Sequence, residues 1–488
     1  MLEDTKAFLS SPLGSFINNQ WVLRDDAAIS EIIDPCTTET IASVQRGTEA
    51  DLNAAVDAAN EAFPAWSALS ADERAGHLHR LADALEANFD TIAEIETLDV
   101  GKTITNTKGF DIPFGVDCLR YFADLSKTLP TDTELDIKDM EARIHRVPYG
   151  VCGFIFPWNF PYNLLLWGIV PALAAGNTVV IKPAELTPLS TLFFAKLAEA
   201  AELPAGVLNV VTGSGSVIGN AMCNHPKMKR VSFTGSSEVG KQIGATCGGN
   251  LIPCKLELGG KGAAVVFEDA DLDLAAEQLS AAITFNTGQV CCTATRWIVH
   301  ESVADAFTQK VTDLLKAVKI GHGLQEDTGM GPMASEKQRQ TVVDYLQKGQ
   351  AQGATALLAG ECLRPEGCEK GYFMSPSLLT GDIDNICFKE EIFGPSAYLT
   401  TFTDEADAMK QVHSIEYGLA NSVFTQDMER ANRVANNMAA GNNWINAHNV
   451  FAYGLPYGGV NLSGLGGGVN SPETYYDYLR PQTVARPL

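Results

Sequence analysis

Apolar positions along the chain change their spacing twice, and each change predicts a different architecture. Up to about residue 124 the helical period dominates, after a short strand at 15–22. Ser70 and Glu73 form a capping box that opens a helix with Leu78, Leu81, Leu85, Phe89 and Ile92 on one face. Polar and apolar residues then alternate over 131–147, which predicts a hairpin or extended arm.

From Gly150 the pattern shortens. Apolar strands at 151–156, 178–181, 207–211, 230–233 and 255–258 alternate with helical segments at 164–175 and 192–201. One strand every ~25 residues, with helices between, implies βαβ units and a parallel, doubly wound α/β sheet. Such sheets bind ligands at the carboxyl ends of their strands. A second alternating set follows Cys292. It has a strand at 296–300, a helix with Val303, Phe307, Val311, Leu314 and Val318 on one face, and strands around Leu357, Ala397 and Ser422. This predicts a second α/β domain. The segment 474–484 is aromatic and β-prone, and predicts a terminal strand whose partner edge lies in its own chain or another subunit.

Composition narrows the function. Apolar residues are 45% and charged residues 19%, as in an ordinary globular protein. Asp and Glu number 59 against 35 Lys and Arg, a net charge of −24, which disfavours nucleic acid and anionic lipid as partners. No charge falls between 147 and 181, but the longest unbroken apolar part, 164–176, is 13 residues and reads as core rather than a membrane span. Eleven scattered cysteines and no secretory segment lead us to expect a cytoplasmic protein.

Several local motifs could carry chemistry. Cys291 and Cys292 follow a glycine-containing turn at Asn286–Gln289, where a thiol is either a nucleophile or a buried structural group. Glu257 ends a strand before Gly259-Gly260-Lys261; it is either a general base or a carboxylate paired with Lys261 or a backbone amide. Phe156-Pro157-Trp158-Asn159-Phe160-Pro161 presents an Asn159 amide that is an oxyanion donor or part of an ordinary turn. The segment 233–240 runs from a strand through a Gly/Ser turn into a helix, a place for a pyrophosphate. Lys182 and Glu185 after another strand suit a ribose diol, while 212–215 reads as a turn. Eight histidines form no HExxH, Cys362 and Cys368 alone make no zinc site, and GxSxG is missing, so we expect neither a metal enzyme nor a serine hydrolase.

Taken in order, PWNFP, KPAE, FTGSSEVG, LELGGK, GQVCC and EEIFGP resemble the aldehyde dehydrogenase superfamily over nearly the whole chain, with Glu257 and Cys291 34 residues apart. The resemblance implies that Cys291 is the nucleophile and Cys292 its inert neighbour, Glu257 the general base and Asn159 the oxyanion donor. It implies cofactor contacts at Phe156, Trp158, Lys182, Glu185, Gly215, Ser236, Glu391 and Phe393. Of these, Lys182 and Glu185 would meet the adenosine ribose, Ser236 the pyrophosphate, and Glu391 with Phe393 the nicotinamide ribose. A carboxylate at Glu185 favours NAD over NADP, because it accepts the ribose 2′-hydroxyl and repels a 2′-phosphate. Phe160, Trp167, Phe451 and Tyr457 match the substrate tunnel and suit an apolar, aromatic or cationic aldehyde. The implied fold is a Rossmann-like cofactor domain (1–124 and 149–259), a second α/β catalytic domain (260–469) and a small β oligomerisation arm (125–148 and 470–488). That arm would join subunits into a homodimer or homotetramer.

The chain also departs from the family pattern. Asn461 stands where many members have lysine, and Gly467-Gly468 where they have Arg-Glu, so a glutamate linked to proton relay is missing. Either Glu257 works alone or a local rearrangement supplies a substitute. A CoA-acylating relative, or a non-catalytic structural one, is the alternative; Glu257 counts against the first and the intact Cys291, Glu257 and Asn159 against the second.

Overall fold

The computed structural model describes all 488 residues. Two central sheets organise it. The first has eight strands, ordered Gln20–Val22, Ser15–Ile17, Leu208–Val210, Thr178–Lys182, Val151–Ile155, Met228–Thr234, Cys254–Glu257 and Gly464–Leu465. Its five middle strands are parallel, with Val151 opposite Thr178 and Thr234 opposite Glu257. These strands are apolar on both faces because helices cover both sides, as a parallel sheet requires. The second sheet has seven strands, ordered Thr355–Ala359, Ser377–Thr380, Ser396–Phe402, Ala294–His300, Gly262–Val266, Ala420–Phe424 and Asn442–Ile445. All but its first strand run parallel. No helix is long and apolar enough to cross a membrane.

The chain passes from one sheet to the other between Glu257 and Gly262, then returns. Gly464–Leu465 pairs antiparallel with the edge strand of the first sheet, Glu257 opposite Gly464. The loop after that return strand therefore lies against the carboxyl end that carries Glu257. A third, antiparallel sheet orders Leu479–Pro487, Met140–Pro148 and Asp132–Leu135.

Several elements differ from the sequence expectation. The predicted strand at 15–22 is a hairpin, turned by Asn18 and Asn19 at φ 53° and 58°, the primed-turn conformation that matches strand twist. A second hairpin, Ile29–Ile33 with Thr40–Gln45, interrupts the region expected to be helical. The face from Leu78 to Ile92 belongs to two helices, Ala71–Ala87 and Phe89–Val100, because the chain breaks at Asn88. Its capping box is present, with the Glu73 amide donating to Ser70 Oγ at 3.2 Å and the Ser70 amide to Glu73 Oε2 at 2.7 Å. In Ala304–Ala317 the core face is Phe307, Val311 and Leu315; Leu314 points to solvent. The tail splits into a helix, Pro472–Tyr476, and the strand Leu479–Pro487, whose partner edge is in its own chain.

Candidate active site

The turn carrying Cys291 is held under strain. It follows the helix Leu272–Thr284, capped at its start by the Asp271 carboxylate, which accepts the amides of Asp273 and Leu274. Beyond its end Asn286 and Thr287 both adopt left-handed backbone, φ 45° and 56°. For a β-branched residue this costs roughly 1–3 kcal/mol and persists only where the surroundings impose it. Thr287 Oγ1 donates to the Gly331 carbonyl at 3.0 Å, Gln289 Nε2 to the Asn286 carbonyl at 2.9 Å, and the Ala334 amide to Gln289 Oε1 at 2.9 Å. Those bonds fix the turn.

Half-buried Cys291 then lies with Sγ 3.5 Å from the Tyr457 hydroxyl. The adjacent Cys292 thiol and the Tyr457 hydroxyl bring the Cys291 thiol down to about 7, against the opposing effect of burial. Cys292 moves the other way. It is buried, donates to Asn449 Oδ1 at 3.3 Å, and is pushed well above the ordinary thiol range by its contact with Cys291 and by burial.

Asn159 is clasped to the same turn. Its Nδ2 donates to the Gln289 carbonyl at 2.9 Å, and Asn286 Nδ2 donates back to the Asn159 carbonyl at 2.8 Å. One amide hydrogen therefore fixes the group beside the Cys291 turn, and the second remains for a ligand.

Glu257 ends its strand in a buried position, and neither carboxylate oxygen makes a hydrogen bond. Burial raises its pKa to about 8. Pairing with Lys261, the alternative reading, is not found: that ammonium faces Cys387, Arg296, Glu391 and Glu390, and burial lowers it to about 8. The two glycines between them allow close packing instead. A Cβ at Gly259 would stand 2.1 Å from Glu391 Oε2, and one at Gly260 2.3 Å from the Cys291 carbonyl oxygen. The Gly260 amide donates to Glu391 Oε1 at 2.8 Å. Glu257, Cys291, Trp167 and Tyr457 line one small enclosed pocket.

That pocket shares Phe156 and Thr234 with a cleft of about 810 Å³ at the carboxyl ends of the first sheet. Phe156, Trp158, Lys182, Glu185, Gly215 and Ser236 all line the cleft. The helix Ser237–Gly249 points its N-terminus there, with Ser236 Oγ accepting the Val239 amide at 3.4 Å. Gly215, read from sequence as part of a turn, opens a π-helical turn, Gly215–Gly219. Burial lowers Lys182 to about 8. Glu391 and Phe393 do not line this cleft, but Phe393 meets Trp158 edge to face at 5.4 Å. Sequence reasoning missed Arg46 and Ser30. Arg46 Nη2 lies 2.7 Å from Glu185 Oε1, and Ser30 Oγ donates to the same oxygen at 3.0 Å. They come from the N-terminal hairpin, and no local pattern links them to Glu185.

Beyond Cys291 lies an aromatic cavity of about 350 Å³, lined by Phe110, Phe285, Phe451, His448 and Asn449 among others. Phe451 packs at 6.0 Å from Trp167 and 5.5 Å from Tyr457, connecting this cavity with the Cys291 pocket. Phe160 lines neither space; it packs on Phe285 and under the Lys102 ammonium, 4.2 Å from its ring. Phe110 and Phe285 had no signal in sequence beyond being aromatic. Burial lowers His448 to about 3, and its Nε2 accepts the Ala294 amide at 3.1 Å.

One group has metal-ligand chemistry that sequence spacing did not show. Asp34, Cys36 and His322 bring candidate ligand atoms within 4.8 Å of one another. His322 Nδ1 accepts the Leu324 amide at 3.1 Å, so the neutral ring carries its proton on Nε2, which faces Asp34 Oδ2 at 3.4 Å. The trio is held as it stands by hydrogen bonds.

Two α/β sheets, with an acidified thiol and a buried carboxylate at their junction beside a cleft at strand ends, define an α/β enzyme. A model of the aldehyde dehydrogenase family matches residues 21–484, and the chain belongs to that family of oxidoreductases. It is 40% identical to an aldehyde dehydrogenase of Emericella nidulans over 458 residues, 93% of this chain and 91% of the relative. It is also 40% identical to a phenylacetaldehyde dehydrogenase of Pseudomonas fluorescens over 473 residues, 94% and 93% of the two chains. Among solved structures, betaine aldehyde dehydrogenase from Staphylococcus aureus in complex with NAD+ superposes with TM-score 0.96 at 34% identity, over 99% of this chain and 97% of that one.

Proposed function

We propose that this protein oxidises an uncharged aromatic aldehyde to its carboxylic acid with NAD, Cys291 serving as nucleophile, Glu257 as general base and Asn159 as oxyanion donor. The observation that carries the reading is the single pocket holding Cys291 and Glu257, which borders the cofactor cleft on one side and aromatic rings on the other.

The residues fit a dinucleotide. The helix N-terminus at Ser236 suits the pyrophosphate, Lys182 and Glu185 the adenosine ribose, and Phe156, Trp158, Gly215, Glu391 and Phe393 the rest of the molecule. NAD supplies the acceptor for the hydride that leaves the substrate carbon. The Cys291 thiolate adds to the carbonyl, and the resulting oxyanion is held by the Asn159 amide and the Cys291 backbone amide, each such donor worth ~3 kcal/mol. Loss of the hydride leaves an acyl thioester on Cys291. Glu257, kept free of hydrogen bonds, then takes a proton from water as the hydroxide adds to the thioester carbonyl, and cleavage of the C–S bond releases the carboxylic acid and the Cys291 thiolate.

The rings of Trp167, Phe451, Tyr457, Phe110 and Phe285 favour an aromatic substrate, in keeping with the phenylacetaldehyde-oxidising relative. We set the domain boundaries at 124/149, 259/260 and 469/470, with Gly464–Leu465 reaching back to the first sheet, and we place the enzyme in the cytoplasm. The arm exposes Ile137, Met140, Val484 and Leu488, which suits a homodimer or homotetramer. A panel of aromatic, aliphatic, betaine-type and carboxylated aldehydes, followed by NADH absorbance without CoA, tests the function. Aromatic aldehydes give the highest kcat/KM and a free-acid product; dependence on CoA, or activity retained in Cys291→Ala, overturns the reading.

A further inference from the structure

The loop after the return strand carries Gly467-Gly468, and a lysine from the neighbouring strand occupies its surroundings. The Lys255 side chain is 1% exposed; its Nζ donates to the Gly468 carbonyl and lies 3.5 Å from Asp477 Oδ2. Side chains in the loop would prevent this. A Cβ at Gly467, φ 91°, would stand 2.6 Å from Asp477 Oδ2, and one at Gly468 2.5 Å from the Tyr457 carbonyl oxygen. Lys255 and Glu257 are two apart on the strand Cys254–Glu257, so their side chains leave the same face. Only Gly458 separates the carboxylate from the lysine's anchor: its Cβ position is 3.2 Å from Glu257 Oε1 and 2.6 Å from the Gly468 Cα.

We propose that Lys255 is a positioning residue for Glu257: its buried ammonium, oriented by the Gly468 carbonyl and Asp477, lets the carboxylate ionise where burial opposes its charge. This rests on Glu257 being the base. Lys255 thereby supplies a positive charge from the same face of the strand as the base, without an ion pair to it. Glu257 is faced by Lys255, Cys291 and Asp477, and Lys255 by Glu257, Asp477 and Arg230. Of the groups around the carboxylate, Lys255 does most to offset burial.

The test is the pH dependence of kcat under conditions where thioester hydrolysis limits, in Lys255→Met, Lys255→Arg and Asp477→Asn, with thermal midpoint and NAD affinity measured alongside. Removing the ammonium moves the rising limb up by about one pH unit or more, roughly a tenfold rate loss below it. Arginine restores the limb, and Asp477→Asn, which removes a nearby negative charge, moves it down. A folded Lys255→Met with an unmoved limb overturns the proposal. If that variant does not fold, Lys255→Gln replaces it, and an unmoved limb there overturns the proposal. Glu257→Gln separates the two readings: a limb that survives there overturns the base assignment, whereas one lost there but unmoved in the lysine variants overturns only the role of Lys255.

Discussion

The Tyr457 hydroxyl stands 3.5 Å from Cys291 Sγ, at the wall between the thiol pocket and the aromatic cavity. A ring that shapes the substrate space thus also stabilises the thiolate. In Tyr457→Phe the Cys291 pKa rises by about one unit, the size expected for one hydrogen bond to a charged sulfur. The rate of iodoacetamide alkylation against pH checks this; an unchanged midpoint assigns the acidity to Cys292 alone.

Two ionisations should shape the activity profile. Cys291 reacts as thiolate and lies at about 7, so acylation accelerates as pH rises through neutrality. Glu257, the proposed base, acts ionised and lies at about 8, so on that reading thioester hydrolysis accelerates through a higher range. In Glu257→Gln a stoichiometric burst of NADH precedes a steady rate lowered at least about 100-fold, the usual scale of general-base assistance. Rapid-mixing absorbance resolves both phases; full steady-state turnover in this variant excludes Glu257 as the base.

Arg46 and Ser30 hold the Glu185 carboxylate, which the proposed reading places at the ribose. Glu185→Gln removes the charge that repels a 2′-phosphate and leaves Arg46 free to attract one. The ratio of kcat/KM for NADP to that for NAD rises at least about tenfold, corresponding to ~1.4 kcal/mol. Adding Arg46→Ala reverses the gain if the guanidinium is its source.

Stability depends on a buried charge cluster behind the tunnel. Lys102 Nζ donates to Glu96 Oε1 at 2.8 Å and Asp111 Oδ2 at 3.0 Å, and Asn163 Nδ2 donates to Asp111 Oδ1 at 2.7 Å. Lys102→Met leaves two buried carboxylates without a cation and costs about 3–5 kcal/mol. Burial already raises Asp111 from 3.8 to about 6, so its folded form binds a proton more tightly than the unfolded chain. The stability it contributes is therefore present at low pH and lost as pH rises between those values. Without Lys102 the folded value rises further, and denaturant titration shows a larger deficit at pH 8 than at pH 5.

Much of the parallel sheet was legible because its strands are local events: five apolar runs, each bounded by turn residues, needed no distant partner to be recognised. The break at Asn88 was hidden because hydrophobic spacing continues across it while the helix axis does not. Phe110 and Phe285 escaped notice for a related reason: an aromatic side chain packs equally well in core or cavity wall, and only its neighbours distinguish the two.

The sequence by itself determined the family, the α/β class and the identities of Cys291, Glu257 and Asn159 as candidates, since each sits in a short contiguous motif. Tertiary structure decided their environment. It joined Glu185 to Arg46, turned Lys261 towards Glu391 and Glu390, and set Tyr457 beside Cys291. The physical reason is that acidity depends on burial and on charges a few ångströms away in space, and separation along the chain does not record those distances.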